Sequence, residues 1–224
     1  MTDRSAPDRA APAFATVVLD VDSTVSGIEG IDWLAERRGP DVARRIGDLT
    51  DKAMRGETPL ERVYGLRLSV IRPRRDEVDA LARAYVDALA AGCIATVSQL
   101  RHAGVRVVLV SGGVRNALLR LAVHLDLDVA DVHAVDIRFD SGGAYVGFDE
   151  ASALATSNGK RMVIAGLDVA RPILMVGDGM TDLAARPAVD SFAAFTGFVA
   201  RAPVVSAADV VVHSFGELGR LVLG

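Results

Sequence analysis

Two aspartates one residue apart, Asp20 and Asp22, follow the apolar run Val17-Val18-Leu19 in the segment Asp20-Val21-Asp22-Ser23-Thr24. Carboxylates held that close at the end of a buried strand repel each other, and a divalent cation offsets the repulsion. Three downstream segments have complementary chemistry: Ser111-Gly112-Gly113, Lys160, and Gly177-Asp178-Gly179-Met180-Thr181-Asp182. A hydroxyl with free backbone N–H groups, a cation, and a third acid between two glycines suit a phosphoryl group and its counter-ion. Together the four segments point to phosphoryl transfer.

Each residue has an expected part. Asp20 is the candidate nucleophile, since a carboxylate can attack phosphorus and split one displacement into two easier ones. Asp22 would protonate the departing alkoxide and then take a proton from the attacking water. A bare pair of aspartates is more often a turn cap, so the other three segments decide the matter. Asp20, Asp178 and a backbone carbonyl near Asp22 would form an oxygen-only, partly hydrated site that suits Mg²⁺. Asp182, one helical turn beyond Asp178, would orient the ion's waters or Lys160, or cap the helix that begins there; the two roles are compatible. Ser111 and Gly112 are expected between a strand and a helix, where N–H groups meet phosphoryl oxygens. Lys160 follows Asn158-Gly159 at an expected helix start, a place that disfavours a cation unless an anion is bound.

Two charges sit where apolar residues are expected. Arg67 falls on the stripe of Leu60, Val63, Tyr64, Val70 and Ile71, so it must be paired or face a ligand. Either it forks onto a ligand carboxylate, or it forms an internal salt bridge to Glu61 or Asp51. Glu29, between Ile28 and Gly30, either receives an ammonium group or is an ordinary first-turn helix acid. An acid for an ammonium and an arginine for a carboxylate would together describe an amino acid.

The elements that must position these groups show in the hydrophobic pattern. Val17–Leu19, Val105–Val110, Ile173–Val176 and Val210–Val212 read as buried strands, with helical periodicity between them, as in Leu118, Leu121, Ala122 and Leu125. This alternation predicts an α/β fold, a Rossmann-like parallel sheet with ligands beyond its carboxyl ends. Residues 25–92 show helical periodicity only, including Val78, Leu81, Ala82, Tyr85 and Leu89, and read as a small helical cap inserted after the first strand. The core is then 15–24 and 93–224, preceded by a flexible tail over 1–14. Asp140-Ser141-Gly142-Gly143 predicts a hairpin turn between Phe139 and Phe148.

The 224 residues carry a formal net charge of −4, which gives no basic footprint for nucleic acid. No apolar run is long enough for a membrane span, and the first residues lack the apolar stretch of a signal peptide. Cys93 is the only cysteine, which excludes an internal disulfide and fits a cytoplasmic protein; the residue reads as a buried structural thiol. His102, His124, His133 and His213 lack ligand spacing and read as structural or surface residues. The oligomeric state stays open, a homodimer included.

The series of Asp20-Val21-Asp22-Ser23-Thr24, Ser111-Gly112-Gly113, Gly159-Lys160 and Gly177-Asp178-Gly179-Met180-Thr181-Asp182 resembles the haloacid-dehalogenase-like phosphatases. Glu29-Gly30-Ile31-Asp32, Ala53-Met54-Arg55-Gly56-Glu57 and Tyr145-Val146-Gly147-Phe148-Asp149-Glu150 are most similar to the branch of that family acting on phosphoserine. The resemblance runs from about Val17 to the end of the chain. It implies a Rossmann-like core, a helical cap, Mg²⁺ dependence, and hydrolysis of O-phosphoserine to serine and phosphate, the last step of serine biosynthesis. It implies Asp20 as nucleophile, Asp22 as acid and base, and Asp20, Asp22 (through its carbonyl) and Asp178 as metal ligands. Ser111, Gly112, Lys160 and Thr181 would hold the phosphoryl group. Glu29 would meet the substrate ammonium, Arg67 its carboxylate and Met54 its apolar flank. Two departures bear on specificity: Leu60 stands at a cap position usually aromatic, and Phe198 in a loop where relatives have a small polar residue. The alternatives are a phosphotransferase passing the group to homoserine, a phosphatase of another small phosphomonoester, and a non-catalytic phosphoamino-acid binder. No regulatory amino-acid-binding domain is expected before the core, because the tail is too short for one.

Overall fold

The computed structural model describes residues 11–224. Its centre is a six-stranded sheet in which every pairing is parallel. In chain order the strands are β1 (Thr16–Leu19), β2 (Arg106–Val114), β3 (Val132–Val135), β6 (Ile173–Gly177), β7 (Ser191–Phe195) and β8 (Val210–Val212), arranged β3-β2-β1-β6-β7-β8. The apolar run that precedes Asp20 becomes the central strand. β1 pairs Leu19 with Leu109 on one side and with Val176 on the other, and Val17, Val18 and Leu19 are fully buried. A strand sheltered on both faces takes continuous Val and Leu rather than an alternating pattern.

The helices joining these strands follow the expected alternation. Helices α5 (Cys93–His102) and α6 (Arg115–His124) flank β2, and α7 (Gly159–Ala165) leads to β6. Beyond β6 come α8 (Met180–Leu183), α9 (Ala202–Ala207) and α10 (Phe215–Leu223). α6 buries Ala117, Leu118, Leu121 and Ala122 against the sheet side, and α5 packs on α10.

Between β1 and α5 the chain forms four helices, α1 (Gly30–Glu36), α2 (Pro40–Met54), α3 (Leu60–Ile71) and α4 (Arg75–Asp87). The two ends of this block meet at its base: Ser26 and Leu89 form an isolated bridge, and Ala90 N–H donates to the Val25 carbonyl at 2.9 Å. The hairpin β4 (Ile137–Phe139) and β5 (Tyr145–Phe148) packs against α3, with the rings of Phe148 and Tyr64 5.3 Å apart. Gly143 closes its turn at φ +79°, a left-handed conformation that favours glycine.

Several expectations are corrected. β3 and β7 do not stand out in the sequence, because Val132-His133-Ala134-Val135 is short and Ser191-Phe192-Ala193-Ala194-Phe195 has no β-branched residue. β8 is a half-buried edge strand rather than a buried one. Ser111-Gly112-Gly113 does not open a helix. These residues extend β2, whose register with β3 shifts between Val110 and Val114, and α6 begins only at Arg115. Residues 1–10 of the expected tail lie outside the described residues. Ala13 within it donates to the Val222 carbonyl at 2.8 Å, and Phe14 packs on the core.

Candidate active site

The carboxyl ends of the three central strands converge on one cleft. β1 delivers Asp20 and Asp22, β2 delivers Ser111 and Gly112, and β6 delivers Asp178, with Thr181 following on α8. α7 contributes Lys160, and the helical block contributes Glu29, Ile31, Asp32, Met54, Leu60 and Arg67. Every expected site residue except Asp182 lines this cleft.

Lys160 is the electrostatic centre. Its ammonium is buried and lies 2.6 Å from Asp20 Oδ1 and 2.5 Å from Asp182 Oδ1. Burial alone would lower the lysine pKa, but Asp182 and Asp20 outweigh it and hold it above the ordinary value. Asp182 Oδ2 accepts from the Gly179 N–H at 2.9 Å, so this acid both orients the lysine and caps α8. The lysine at the N-terminal end of α7 is tied to acids of the protein itself.

Burial raises the Asp20 carboxyl to about 7, with Asp182 adding to the shift and Lys160 opposing it. Asp22 also rises to about 7, through burial first and then the charge of Asp20. Two donors oppose that shift: the Tyr85 hydroxyl reaches Asp22 Oδ1 at 2.6 Å, and the Gly30 N–H reaches Oδ2 at 3.3 Å. Glu29 is raised to about 8 by burial and then by Asp22, although the Ser23 hydroxyl donates to it at 2.8 Å.

One oxygen from each of Asp20, Asp178 and Asp182 lies within 4.8 Å of the others. Three buried carboxylates with no thiolate or imidazole among them suit a hard cation. Lys160 and Arg201 are the basic side chains that pair with these acids. The expected donor set was Asp20, Asp178 and the carbonyl of Asp22; the carboxylates gathered are Asp20, Asp178 and Asp182. Both Asp182 oxygens accept bonds, from Lys160 and Gly179, and Asp178 accepts from the Thr24 hydroxyl at 3.3 Å and contacts Arg201. As three converging carboxylates, the residues fit a metal ion.

Arg67 is buried on α3 with its guanidinium in the cleft wall. Neither of its expected salt-bridge partners is engaged. Glu61 instead accepts from the Ser157 N–H and hydroxyl at 3.0 and 2.9 Å, and Asp51 approaches Arg55 at 3.9 Å. Arg67 Nη1 donates to the Thr50 hydroxyl at 2.8 Å, which in turn donates to Asp32 at 2.5 Å. Its Nε is buried and has no hydrogen-bond partner. Glu29 and Arg67 thus bring a carboxyl group and a guanidinium to one cavity.

Other expectations meet mixed outcomes. Leu60 lines the cleft. Phe198 does not; it is 41 % exposed, with its ring 6.0 Å from that of Phe195. Cys93 is buried, and burial pushes its thiol up to about 12. None of the four histidines lines the cleft. Sequence reasoning missed Arg201, whose guanidinium contacts Asp178 and lies 3.8 Å from Glu29. It also missed the roles of Tyr85 and Thr50. A tyrosine on an apolar stripe was the available signal for Tyr85, since a buried hydroxyl needs a partner.

A parallel sheet with a lysine–aspartate cluster across its central strand ends defines the haloacid-dehalogenase-like phosphatase class. The structure of a phospho-aspartyl intermediate analogue of a phosphoserine phosphatase shares this fold, with a TM-score of 0.77 at 23% identity over 92% of this chain and 97% of that one. No family model matches the chain. Phosphoserine phosphatases of Rattus norvegicus and Homo sapiens are each 38% identical over 205 residues, covering 90% of this chain and 90% of theirs. The chain belongs to the phosphoserine phosphatase family.

Proposed function

We propose that this chain hydrolyses O-phosphoserine to serine and inorganic phosphate. The observation that carries the reading is the single cleft in which Asp20, Asp22 and Lys160 meet Glu29 and Arg67. The first three suit the phosphoryl end of the substrate, and the last two suit an ammonium and a carboxylate at the other. Residues 25–92 act as the cap that carries the amino-acid subsite, and 15–24 with 93–224 as the core that carries the chemistry.

In the first half-reaction a carboxylate oxygen of Asp20 bonds to phosphorus as the bond to the seryl oxygen breaks. Asp22 gives that oxygen its proton, so serine leaves neutral at the hydroxyl. In the second half-reaction water attacks the phosphoaspartate, Asp22 takes the water proton, and the bond from Asp20 to phosphorus breaks. Ser111, Gly112 and Thr181 donate to the phosphoryl oxygens, and Lys160 offsets their charge while holding Asp20 in place. Mg²⁺ on Asp20, Asp178 and the Asp22 carbonyl would neutralise charge between phosphate and acids. Met54 forms the apolar flank of the seryl subsite. The lone buried Cys93 supports a cytoplasmic setting.

The test is phosphate release from phosphoserine, phosphoethanolamine and sugar phosphates with Mg²⁺, with and without homoserine. The highest kcat/KM is expected for phosphoserine. Faster release from sugar phosphates would overturn the substrate, and accumulation of homoserine phosphate would make the enzyme a transferase.

A further inference from the structure

Asp22 is gripped by the helical block rather than by the sheet that delivers it. The hydroxyl of Tyr85, on the last turn of α4, donates to Oδ1 at 2.6 Å, and the N–H of Gly30, at the start of α1, donates to Oδ2 at 3.3 Å. One donor on each oxygen fixes the plane of a short carboxyl side chain. The Tyr85 ring is fully buried, and its backbone is anchored, because the Ser26 hydroxyl donates to the Tyr85 carbonyl at 3.0 Å. Space for the hydroxyl comes from two glycines. A Cβ on Gly30 would lie 1.9 Å from the Tyr85 oxygen, and one on Gly113 would lie 3.3 Å from it. Tyr85 does not itself line the cleft; it reaches Asp22 from behind.

We propose that Tyr85 is a positioning residue that aims the Asp22 carboxyl group at the leaving oxygen of the substrate. The assignment rests on the reading of Asp22 as the acid and base. It gives α4 a direct part in proton transfer: the donor comes from the inserted block, so Asp22 is held in its working orientation only while α4 is seated against the exit of β1. A hydrogen bond from a neutral hydroxyl is suited to this task, since it restrains the carboxyl group without adding a charge beside Asp20.

The test separates positioning from packing by the leaving group. Serine must leave with a proton, whereas p-nitrophenolate leaves without one. kcat/KM reports on steps up to cleavage of the first phosphorus–oxygen bond, so it isolates the acid role. Tyr85→Phe keeps the ring and removes the hydroxyl. It is expected to lower kcat/KM for phosphoserine by about tenfold or more, because small misplacements of a reacting group are costly. For p-nitrophenyl phosphate a change under about threefold is expected, the remaining cost of a structural change without acid catalysis. Gly30→Ala, whose methyl group would displace the hydroxyl, is the second variant and should show the same selectivity. Asp22→Asn provides the reference. If it lowers both substrates equally, the acid role of Asp22 fails and Tyr85 loses its role with it. If Asp22→Asn discriminates between the substrates while Tyr85→Phe lowers both alike or neither, the role of Tyr85 is overturned and that of Asp22 stands.

Discussion

Replacing Lys160 with methionine tests the charge balance of the site most directly. Methionine keeps the apolar stem and removes the ammonium, so packing changes little. The lost group makes two charge-assisted bonds, at 2.6 Å to Asp20 and 2.5 Å to Asp182. Asp178 adds a third buried carboxylate beside them, and Arg201 then remains as the cation contacting the group. Bonds to charged partners contribute about 1.5–3 kcal/mol each, and removing one member of a buried ion pair costs about 3–5 kcal/mol. Two such bonds on one ammonium place the expected loss at about 3–5 kcal/mol. Asp20, raised to about 7, can relax by taking up a proton, so the loss should be smaller at pH 6 than at pH 8. The assay is urea unfolding in EDTA of wild type, Lys160→Met, Asp182→Asn and the double variant. Asp182→Asn removes the same pair from the other side, so the double variant should cost much less than the sum of the two. A loss below about 1 kcal/mol at pH 8, or additive effects, would refute the argument that Lys160 holds the buried acids together.

Three further outcomes are expected. Asp20→Asn should lower turnover of phosphoserine by about 10³-fold or more in a chain that still folds cooperatively, and activity within about tenfold would exclude Asp20 as nucleophile. Arg67→Ala should raise KM for phosphoserine by about 10–100-fold and leave phosphoethanolamine, which has no carboxylate, nearly unchanged; equal effects on the two would make Arg67 structural. Asp20 and Asp22 at about 7 and Glu29 at about 8 lie above their ordinary values of 3.8 and 4.5. The native metal-free chain therefore binds more protons than the unfolded one, and its stability falls as pH rises from about 4 to about 8. Melting in EDTA should occur at lower temperature at pH 8 than at pH 5, with added Mg²⁺ restoring more at pH 8; the opposite slope would contradict these shifts.

The sequence revealed those parts of the site whose partners are set by strand ends. Asp20, Ser111 and Asp178 each follow an apolar run, and three neighbouring parallel strands bring such positions together without further information. Arg67 was visible as a charge on an apolar stripe, but its partner was not. The expected acids were Glu61 and Asp51, whereas the contact is the Thr50 hydroxyl, which sits on the buried face of α2. Tyr85 and Asp22 meet across 63 positions and Arg201 and Asp178 across different loops. No local period encodes such pairings. β3 and β7 were hidden for a compositional reason, since alanine and short length erase the strand signal that valine gives elsewhere.

The central position of β1 has a consequence for how the molecule is made. Thr16 pairs with Arg106 and with Ile173, so the strand carrying Asp20 has no neighbour on either side until much of the chain has emerged from the ribosome. Parallel pairings of such separation close slowly. Asp20 is therefore synthesised early and surrounded late. The acids of β1 and β6 cannot crowd together before β6 docks, and by then Lys160 is already in the polypeptide to offset the repulsion between them.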